Sequence, residues 1–491
     1  MGATGPRGPG AIVPAVKRDL ASLANREHDL LVVGGGIHGA AAAWDAAQRG
    51  LSVALVEAAD FGSGTSWNSL KTIHGGLRHL QRADIAGLRE SVRERRALLR
   101  IAPAIVRPLP FLVPAYGHGF KGREALAVAV CLNDLLSRDR NDGLREDRRL
   151  PGPRVLSPTE VLGLVPGLPR AGLAGGVEWT DAQVESSERL VMGFLHAAAS
   201  AGAVLANRAE VVALTRSGAR ITGAEVRDRE SGETLHVGAR LVLNAAGPGC
   251  EGLLGMAGLR ARGVPLLAAW NFVLRRPLVT ARAVGASSGR RFLFLVPWRD
   301  RSMVGTGYAA PADAEARIRA FRDEARRAFP WAGLEDADIA LVHRGLVPGR
   351  GGDALWTRSR IFDHEAEDGV AGLVTMLGVK YTTARGLAEK AVDLGFRRLG
   401  RRAPPCRTDV TELAAARPLE GTLPERTRAS VRDEMARTLA DAVLRRLDLG
   451  TAGRPDEAEV ATVAAVMADD LGWGPERVRE EKRDLDGVFH G

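Results

Sequence analysis

The chain has 491 residues, 45% of them hydrophobic and 26% charged, with a formal charge of +9 at neutral pH; it is too long for one hydrophobic core and too apolar for a disordered polymer. Its three cysteines, Cys131, Cys250 and Cys406, form no CxxC pair, which excludes a disulfide framework and leaves no zinc or iron–sulfur motif, so no metal is expected. No run reaches the about 18 to 20 apolar residues of a spanning helix, and the basic excess comes without a nucleic-acid-binding signature, so nucleic acid is not an expected partner.

Residues 1–27 open Gly/Pro-rich and read as a partly disordered leader. They lack the apolar core of a signal peptide, so a cytoplasmic protein is expected. The segment HDLLVVGGGIHGAAAAWDAAQRGLSVALVE, 28–57, then predicts strand, turn, helix and strand. Its turn carries Gly34-x-Gly36-x-x-Gly39, the dinucleotide fingerprint in the context that the fingerprint requires. Gly34 makes the tight turn, Gly36 admits a pyrophosphate, and Gly39 lets helix and strand pack closely. Gly35, Ile37 and His38 complete the loop, which sets phosphates on unpaired N–H groups at the helix start. Glu57 lies 18 residues past Gly39, where a carboxylate accepts ribose hydroxyls and repels a 2′-phosphate. FAD and NAD both remain open on this segment alone.

Farther on, TIHGGLRHL, 72–80, concentrates His74, Gly75, Gly76, Arg78 and His79. Arg89, Arg93, Arg96 and Arg100 recur at helical spacing, with Ile85, Leu88, Val92 and Leu99 on another face. A solvated outer face is the simpler reading of that ridge, and a docking face for anionic lipid headgroups the sharper one. Gly247-Pro248-Gly249-Cys250-Glu251-Gly252 is a second formal glycine match, but Pro248 removes a phosphate-binding N–H. It reads as a turn where the strand RLVLNAA ends against the cofactor of the first motif. RFLFLVPW, SMVGTGY and DIALVHRGLV read as strands. Val431, Met435, Leu439 and Val443, spaced i, i+4, predict a helix over 424–447 with one buried face.

Several stretches in fixed order resemble one family from about residue 18 to the end: the fingerprint segment continued through ADFGSGTSWNSLKTIHGGLRHL, then RALLRIAPAIVRPLPFLVP, VEWTDAQVESSERLV, LVLNAAGP, FLFLVPWRD, SMVGTG and LGVKYTTARGLAEKAVD. The chain is similar to the FAD-dependent glycerol-3-phosphate dehydrogenases, within the wider flavin-dependent amine and hydroxyl oxidases. The resemblance implies an α/β fold, with a Rossmann-like FAD-binding domain (28–115, 187–263 and 350–400) interleaved with an α+β substrate domain (116–186 and 264–349), and a C-terminal helical domain (405–491). It implies FAD as cofactor and oxidation of glycerol 3-phosphate to dihydroxyacetone phosphate by hydride transfer to the flavin, with electrons passed on to quinone or another acceptor such as oxygen or a carrier; the basic ridge would suit a peripheral contact on the inner face of a membrane. His74 is then the expected base, an imidazole suiting proton removal near neutrality. Arg78, Arg358 and Lys380 would bind substrate or flavin, Lys380 at the start of the helix YTTARGLAEKAVD. Thr65, Ser66, Ser69, Lys71, Gly247, Gly378 and Thr382 would line the cofactor.

The chain departs from the family pattern at Leu70, where serine is frequent, and at Val347, where an arginine usually precedes proline, with Arg344 three positions earlier. Ala268, Ala269, Trp270 and Asn271 replace Lys-Gly-Ser-His, His79 replaces tyrosine, and GTGY (305–308) replaces GTTD. These departures leave a related flavoenzyme with an unphosphorylated hydroxy or amino substrate as the alternative.

Overall fold

A computed structural model describes residues 15–490 except 118, 120, 121 and 351–353, without side-chain placement at 81 and 490. The leader expected over 1–27 lies outside the described residues as far as residue 14. The rest of it is folded: Val16 donates its N–H to Asp433 at 2.7 Å, Arg18 reaches the Asn207 carbonyl at 3.0 Å, and Leu23 is fully buried. A run of small and basic residues hides this, because the anchors are single side chains.

Two sheets organise the chain. The eight-stranded one runs Arg360–Asp363, Leu373–Leu377, Thr234–Asn244, His28–Val33, Val53–Val56 and Val204–Ala206, with the hairpin Ala209–Ser217 and Arg220–Asp228 continuing from Thr234–Asn244. Strands 28–33, 53–56, 204–206, 234–244 and 373–377 pair in parallel, registering Leu30 with Leu241 and Val53, Leu55 with Leu205, and Leu243 with Val374. Such strands are covered on both faces, which is why they read as unbroken apolar runs. The alanine-rich helix Ile37–Gln48 lies on one face between helices Ser187–Ser200 and Ala384–Arg398, with the Trp44 and Phe194 rings 5.4 Å apart. The hairpin side carries a second cluster, in which Leu23, Leu31, Val226 and Leu253 are buried. From the central strand 28–33 the chain first moves to 53–56 and later returns on the other side as 234–244. That reversal creates a crevice at the carboxyl ends of the strands, where ligands of such sheets bind.

The nine-stranded sheet runs Ile339–Pro348, Leu266–Leu274, Arg301–Ala309, Phe292–Trp298, Ala283–Ser287, Val106–Tyr116, Leu173–Val184 and Thr72–Ile73, with Arg154–Leu156 beside 173–184. Strands 72–73 and 106–116 thus belong to this second sheet, so residues 28–115, expected in one domain, divide between the two. Helix Ala314–Ala328 covers its far face, with Phe321 edge-on to Trp270 and Phe272.

The tail does not form the single helix predicted over 424–447. Helix Leu423–Arg432 stops at Asp433, Met435 takes a left-handed φ of 56°, and a π-helical turn spans Asp441–Arg446. The Asp441 carboxylate accepts the N–H groups of Arg437 and Thr438, both at 3.0 Å, which starts the second segment. The four periodic side chains are all buried, but Met435 joins the core of the first sheet while Val431, Leu439 and Val443 join the tail's own core. The tail is clasped to the loop after strand 53–56. Buried Asp60 accepts from Arg445 at 2.6 Å, Arg446 at 2.7 Å and Asn207 at 3.0 Å. Burial alone would raise the Asp60 pKa, but the Arg446 and Arg445 charges hold it well below the usual carboxylate range. A parallel clasp joins Glu434 to Arg189 at 2.6 Å and His196 at 3.0 Å.

Candidate active site

The fingerprint turn is tight for a steric reason. Gly34 has φ +111°, and a Cβ there would stand 2.6 Å from the Ala245 carbonyl oxygen; one on Gly39 would stand 1.9 Å from that of Gly34. Strand end, turn and helix therefore touch through backbone. The Gly247 turn follows Ala246, whose Cα would stand 2.9 Å from a Cβ on Gly34, and leads into the short helix Cys250–Met256. Gly36 caps helix Ile37–Gln48 without a side chain, and Ser66 Oγ accepts the Ile37 N–H at 3.0 Å. Glu57 accepts N–H groups from Gly35 at 2.7 Å and Ala59 at 2.8 Å. Two of a carboxylate's about four acceptor positions are thus filled, leaving two for ribose hydroxyls. Burial pushes the Glu57 carboxyl above its ordinary range, and the two N–H groups oppose that. His38 is held neutral by burial, its pKa pushed down to about 4. Its Nε2 is sealed from solvent without a partner among the described residues and lies 1.9 Å from where a Gly378 Cβ would stand. A helix start whose cap residue is a glycine, a half-satisfied carboxylate and an orphaned imidazole nitrogen fit an adenine dinucleotide such as FAD.

The loop between Glu57 and His74 contributes less than the sequence suggests. Thr65 Oγ1 donates to the Leu346 carbonyl at 2.8 Å, tying the loop to the second sheet. Ser69 Oγ accepts the Lys71 N–H at 3.3 Å. Lys71 is fully buried, and its ammonium donates to Trp67 O at 2.9 Å, Ser187 Oγ at 2.8 Å and Glu188 Oε1 at 2.6 Å. All three of its protons are engaged, so it is a structural cation with none left for a phosphate. Thr382 is buried in the turn after Gly378. The following helix starts at Ala384, with Thr383 as cap, later than the Lys380 start expected.

His74 follows the two-residue strand Thr72–Ile73. Its Nδ1 lies 3.2 Å from Asp181 Oδ2 and its Nε2 2.9 Å from Thr72 Oγ1, while the side chain stays 44% exposed. Asp181 is buried and also engages Arg95, the Gly75 N–H at 2.8 Å and the Trp179 indole at 3.3 Å. Burial opposes its ionisation, but the Arg95 charge and the His74 bond hold its pKa down at about 2. A Cβ on Gly75 would strike the Arg95 guanidinium, which explains the first glycine of the pair. Sequence reading quoted this strand without singling out Asp181; an aspartate inside an otherwise buried strand is the signal that was available.

Five residues after His74, His79 Nε2 lies 2.5 Å from Lys380 Nζ, and its Nδ1 lies 2.8 Å from Asp84 Oδ2. Asp84 caps helix Ile85–Ile101 through the Gly87 N–H at 3.0 Å and pairs with Arg358. Bonding from Arg358 holds Asp84 well below the carboxylate range. Burial lowers the Lys380 pKa, helped by Arg78 and Arg82 against Glu90 and Asp84. Arg78 is exposed and makes no hydrogen bond or ion pair among the described residues. Lys380 and Arg358 therefore converge on the loop that carries His74 and Arg78. Asp84 was missed because its partners are 5 and 274 residues away.

The departures in the second sheet turn out to be packing. Trp270 is buried against Phe321 and pairs across strands with Gly307, where a Cβ would stand 2.2 Å from its indole nitrogen. The tryptophan fits in the core because a glycine stands opposite it. Asn271 sits on the opposite side of the strand, accepting from Thr306 at 2.7 Å and donating to Asn68 O at 3.3 Å. Arg344 pairs with Glu315 and does not replace the missing arginine at Val347. The arginine ridge is partly paired: Arg89 and Arg96 share Asp139, and Arg93 lies 3.0 Å from Glu94, a carboxylate that Arg385 also holds.

Comparison with known proteins agrees with this architecture. Residues 29–394 match the family described as FAD dependent oxidoreductase. Among curated proteins, a glycerol-3-phosphate dehydrogenase of Synechocystis is 32% identical over 425 residues, 81% of this chain and 75% of that one. Glycerol-3-phosphate dehydrogenase 2 of Mycobacterium bovis is 34% identical over 409 residues, 80% and 67% of the two chains. Among solved structures, the glycerol-3-phosphate dehydrogenase of Bacillus halodurans, complexed with FAD, superposes with a TM-score of 0.70 at 22% identity over 96% of each chain. The glycine oxidase of Geobacillus kaustophilus gives 0.52 at 22% identity over 81% of this chain and 99% of that one, a likeness of fold. The chain belongs to the FAD-dependent oxidoreductases and, within them, to the glycerol-3-phosphate dehydrogenase family.

Proposed function

We propose that the enzyme oxidises glycerol 3-phosphate to dihydroxyacetone phosphate by hydride transfer to FAD and passes the electrons to quinone. The observation that carries this reading is the cluster of Arg78, Arg358 and Lys380 around the loop that also presents His74 beside Asp181. A phosphate dianion calls for such charge-assisted donors. In this reading the eight-stranded sheet carries the flavin and the nine-stranded one faces the substrate.

Oxidation of a secondary alcohol removes a hydride from carbon and a proton from oxygen; bound FAD supplies the hydride acceptor. The proton falls to His74. With Asp181 accepting from Nδ1–H, a tautomer assigned from the hydrogen-bond network, the lone pair sits on Nε2, covered at rest by the Thr72 hydroxyl. An alcohol that takes the place of the Thr72 contact meets an oriented base. Asp181, itself fixed by Arg95, balances the charge the imidazole gains. Arg78 and Lys380 hold the phosphate, and Arg358 adds to the positive field while bound to Asp84.

Anaerobic addition of glycerol 3-phosphate to the yellow holoenzyme is expected to bleach the flavin, with dihydroxyacetone phosphate as product. A panel of unphosphorylated alcohols and amines should leave it oxidised; a flavin reduced by those and not by the phosphate ester would overturn the reading.

A lipid-dissolved quinone requires a surface contact, and helix Arg123–Leu136 offers one, with Val128, Leu132 and Leu135 exposed at 68%, 44% and 58%. No helix among the described residues is long and apolar enough to cross a membrane, so the contact proposed is peripheral. Wild-type protein should float with anionic vesicles, and Leu132→Glu with Leu135→Glu should float far less; equal flotation would remove this helix from the contact.

A further inference from the structure

We propose that His79 is a positioning residue that holds Lys380 through a shared proton, so that Lys380, His79 and Asp84 act as one unit at the phosphate end of the site. The inference rests on the reading of that end as an anion site. Three observations build it. Lys380 Nζ and His79 Nε2 are 2.5 Å apart, a distance at which two basic nitrogens must have exactly one proton between them. The other ring nitrogen, Nδ1, faces Asp84 Oδ2 at 2.8 Å and is therefore the N–H donor. The imidazole is clamped: a Cβ on Gly87 would stand 2.6 Å from its Nδ1 and one on Gly76 3.2 Å from its Cδ2. Two glycines thus make room for one ring between the loop and helix Ile85–Ile101.

The consequence for Lys380 is a fixed direction. One of its three protons points at His79, which leaves two for an anion. The charged groups around the pair are Asp84 and Arg358 on the histidine side, and Glu90, Arg78, Arg82 and Asp84 around the lysine. Burial, and then the Lys380 charge, push His79 below the ordinary imidazole range. At neutral pH the ring is thus neutral and accepts from Lys380. As pH falls through that depressed value the ring takes a second proton, Lys380 loses its acceptor, and two cations oppose each other. Substrate affinity should fall on the acid side for that reason.

The test has two arms. In the first, kcat and KM for glycerol 3-phosphate are followed against pH. The wild type is expected to show a steeper acid rise in KM than His79→Gln, whose amide oxygen accepts from Lys380 without titrating; protonation of His74 and of the substrate phosphate is common to both proteins. His79→Phe, with no acceptor, should raise KM about tenfold to a hundredfold while flavin content is retained. An acid rise in KM as steep in His79→Gln as in wild type, or a KM unchanged in His79→Phe, would overturn the proposal. The second arm needs no substrate and no turnover. The His79 imidazole is titrated by NMR in wild type and in Lys380→Met; removal of the neighbouring cation should move its pKa upward, and an identical titration would show that no proton is shared. If this arm succeeds while glycerol 3-phosphate fails to bleach the flavin, the substrate reading fails and the shared proton stands.

Discussion

Lys380→Ala should retain its flavin and lose about a hundredfold to a thousandfold in the rate of flavin reduction by glycerol 3-phosphate. The reasoning is local. Lys380 is half-buried in the turn between strand Leu373–Leu377 and helix Ala384–Arg398, with one proton directed at His79. The hydrogen bonds of Gly35, Ile37 and Glu57 do not involve its side chain, although His38 packs against Gly378 in the same turn. Truncation therefore removes a donor from the anion end without touching the dinucleotide cradle. Stopped-flow reduction and flavin content, measured on the same preparation, separate the two effects. Parallel loss of both would make Lys380 a structural residue.

Asp60→Ala should lower stability by about 3 to 5 kcal/mol, the usual result of stranding a buried charge. Two buried guanidiniums, Arg445 and Arg446, converge on this carboxylate, and Asn207 completes its shell. Removing it leaves two cations in the interior whose remaining acidic partners among the described residues are Asp441 and Glu434. Because Asp60 follows Glu57 by three residues, flavin should be lost along with the tail's docking. Urea unfolding followed by flavin fluorescence reads both, and a variant as stable as wild type would show that the clasp contributes nothing. The pH dependence has a definite sign. The carboxyl is held below its unfolded value, so its contribution is complete above the ordinary carboxylate range and disappears as pH falls through the depressed one.

The glycine fingerprint was legible because every contact that demands it lies within a short local unit or is implied by it. Gly34 and Gly39 touch each other's backbone, and apolar runs flanking them can be little other than parallel strands. The arrangement of His74, Arg78 and Lys380 came from resemblance, which carries positions but not partners. What escaped was every partner fixed by long-range pairing: Asp181 lies 107 residues from His74, and Arg446 lies 386 from Asp60. Lys71 misled for the opposite reason. A lysine in a polar loop looks available, and only the buried Glu188, 117 residues on, shows that it is not. That Trp270 stands opposite Gly307 was hidden for the same reason, since strand register joins them across 37 residues of chain.

The interleaving of the two sheets has a consequence for synthesis. The parallel sheet is completed only when Leu373–Leu377 joins Thr234–Asn244, and the Lys380 turn follows immediately. A nascent chain emerging from the ribosome therefore exposes Val- and Leu-rich strand edges through most of its elongation, before the flavin crevice has all its walls. Such a chain is slow to mature and prone to off-pathway association in the meantime. Flavin that binds only the assembled crevice would then stabilise nearly finished chains and not earlier ones.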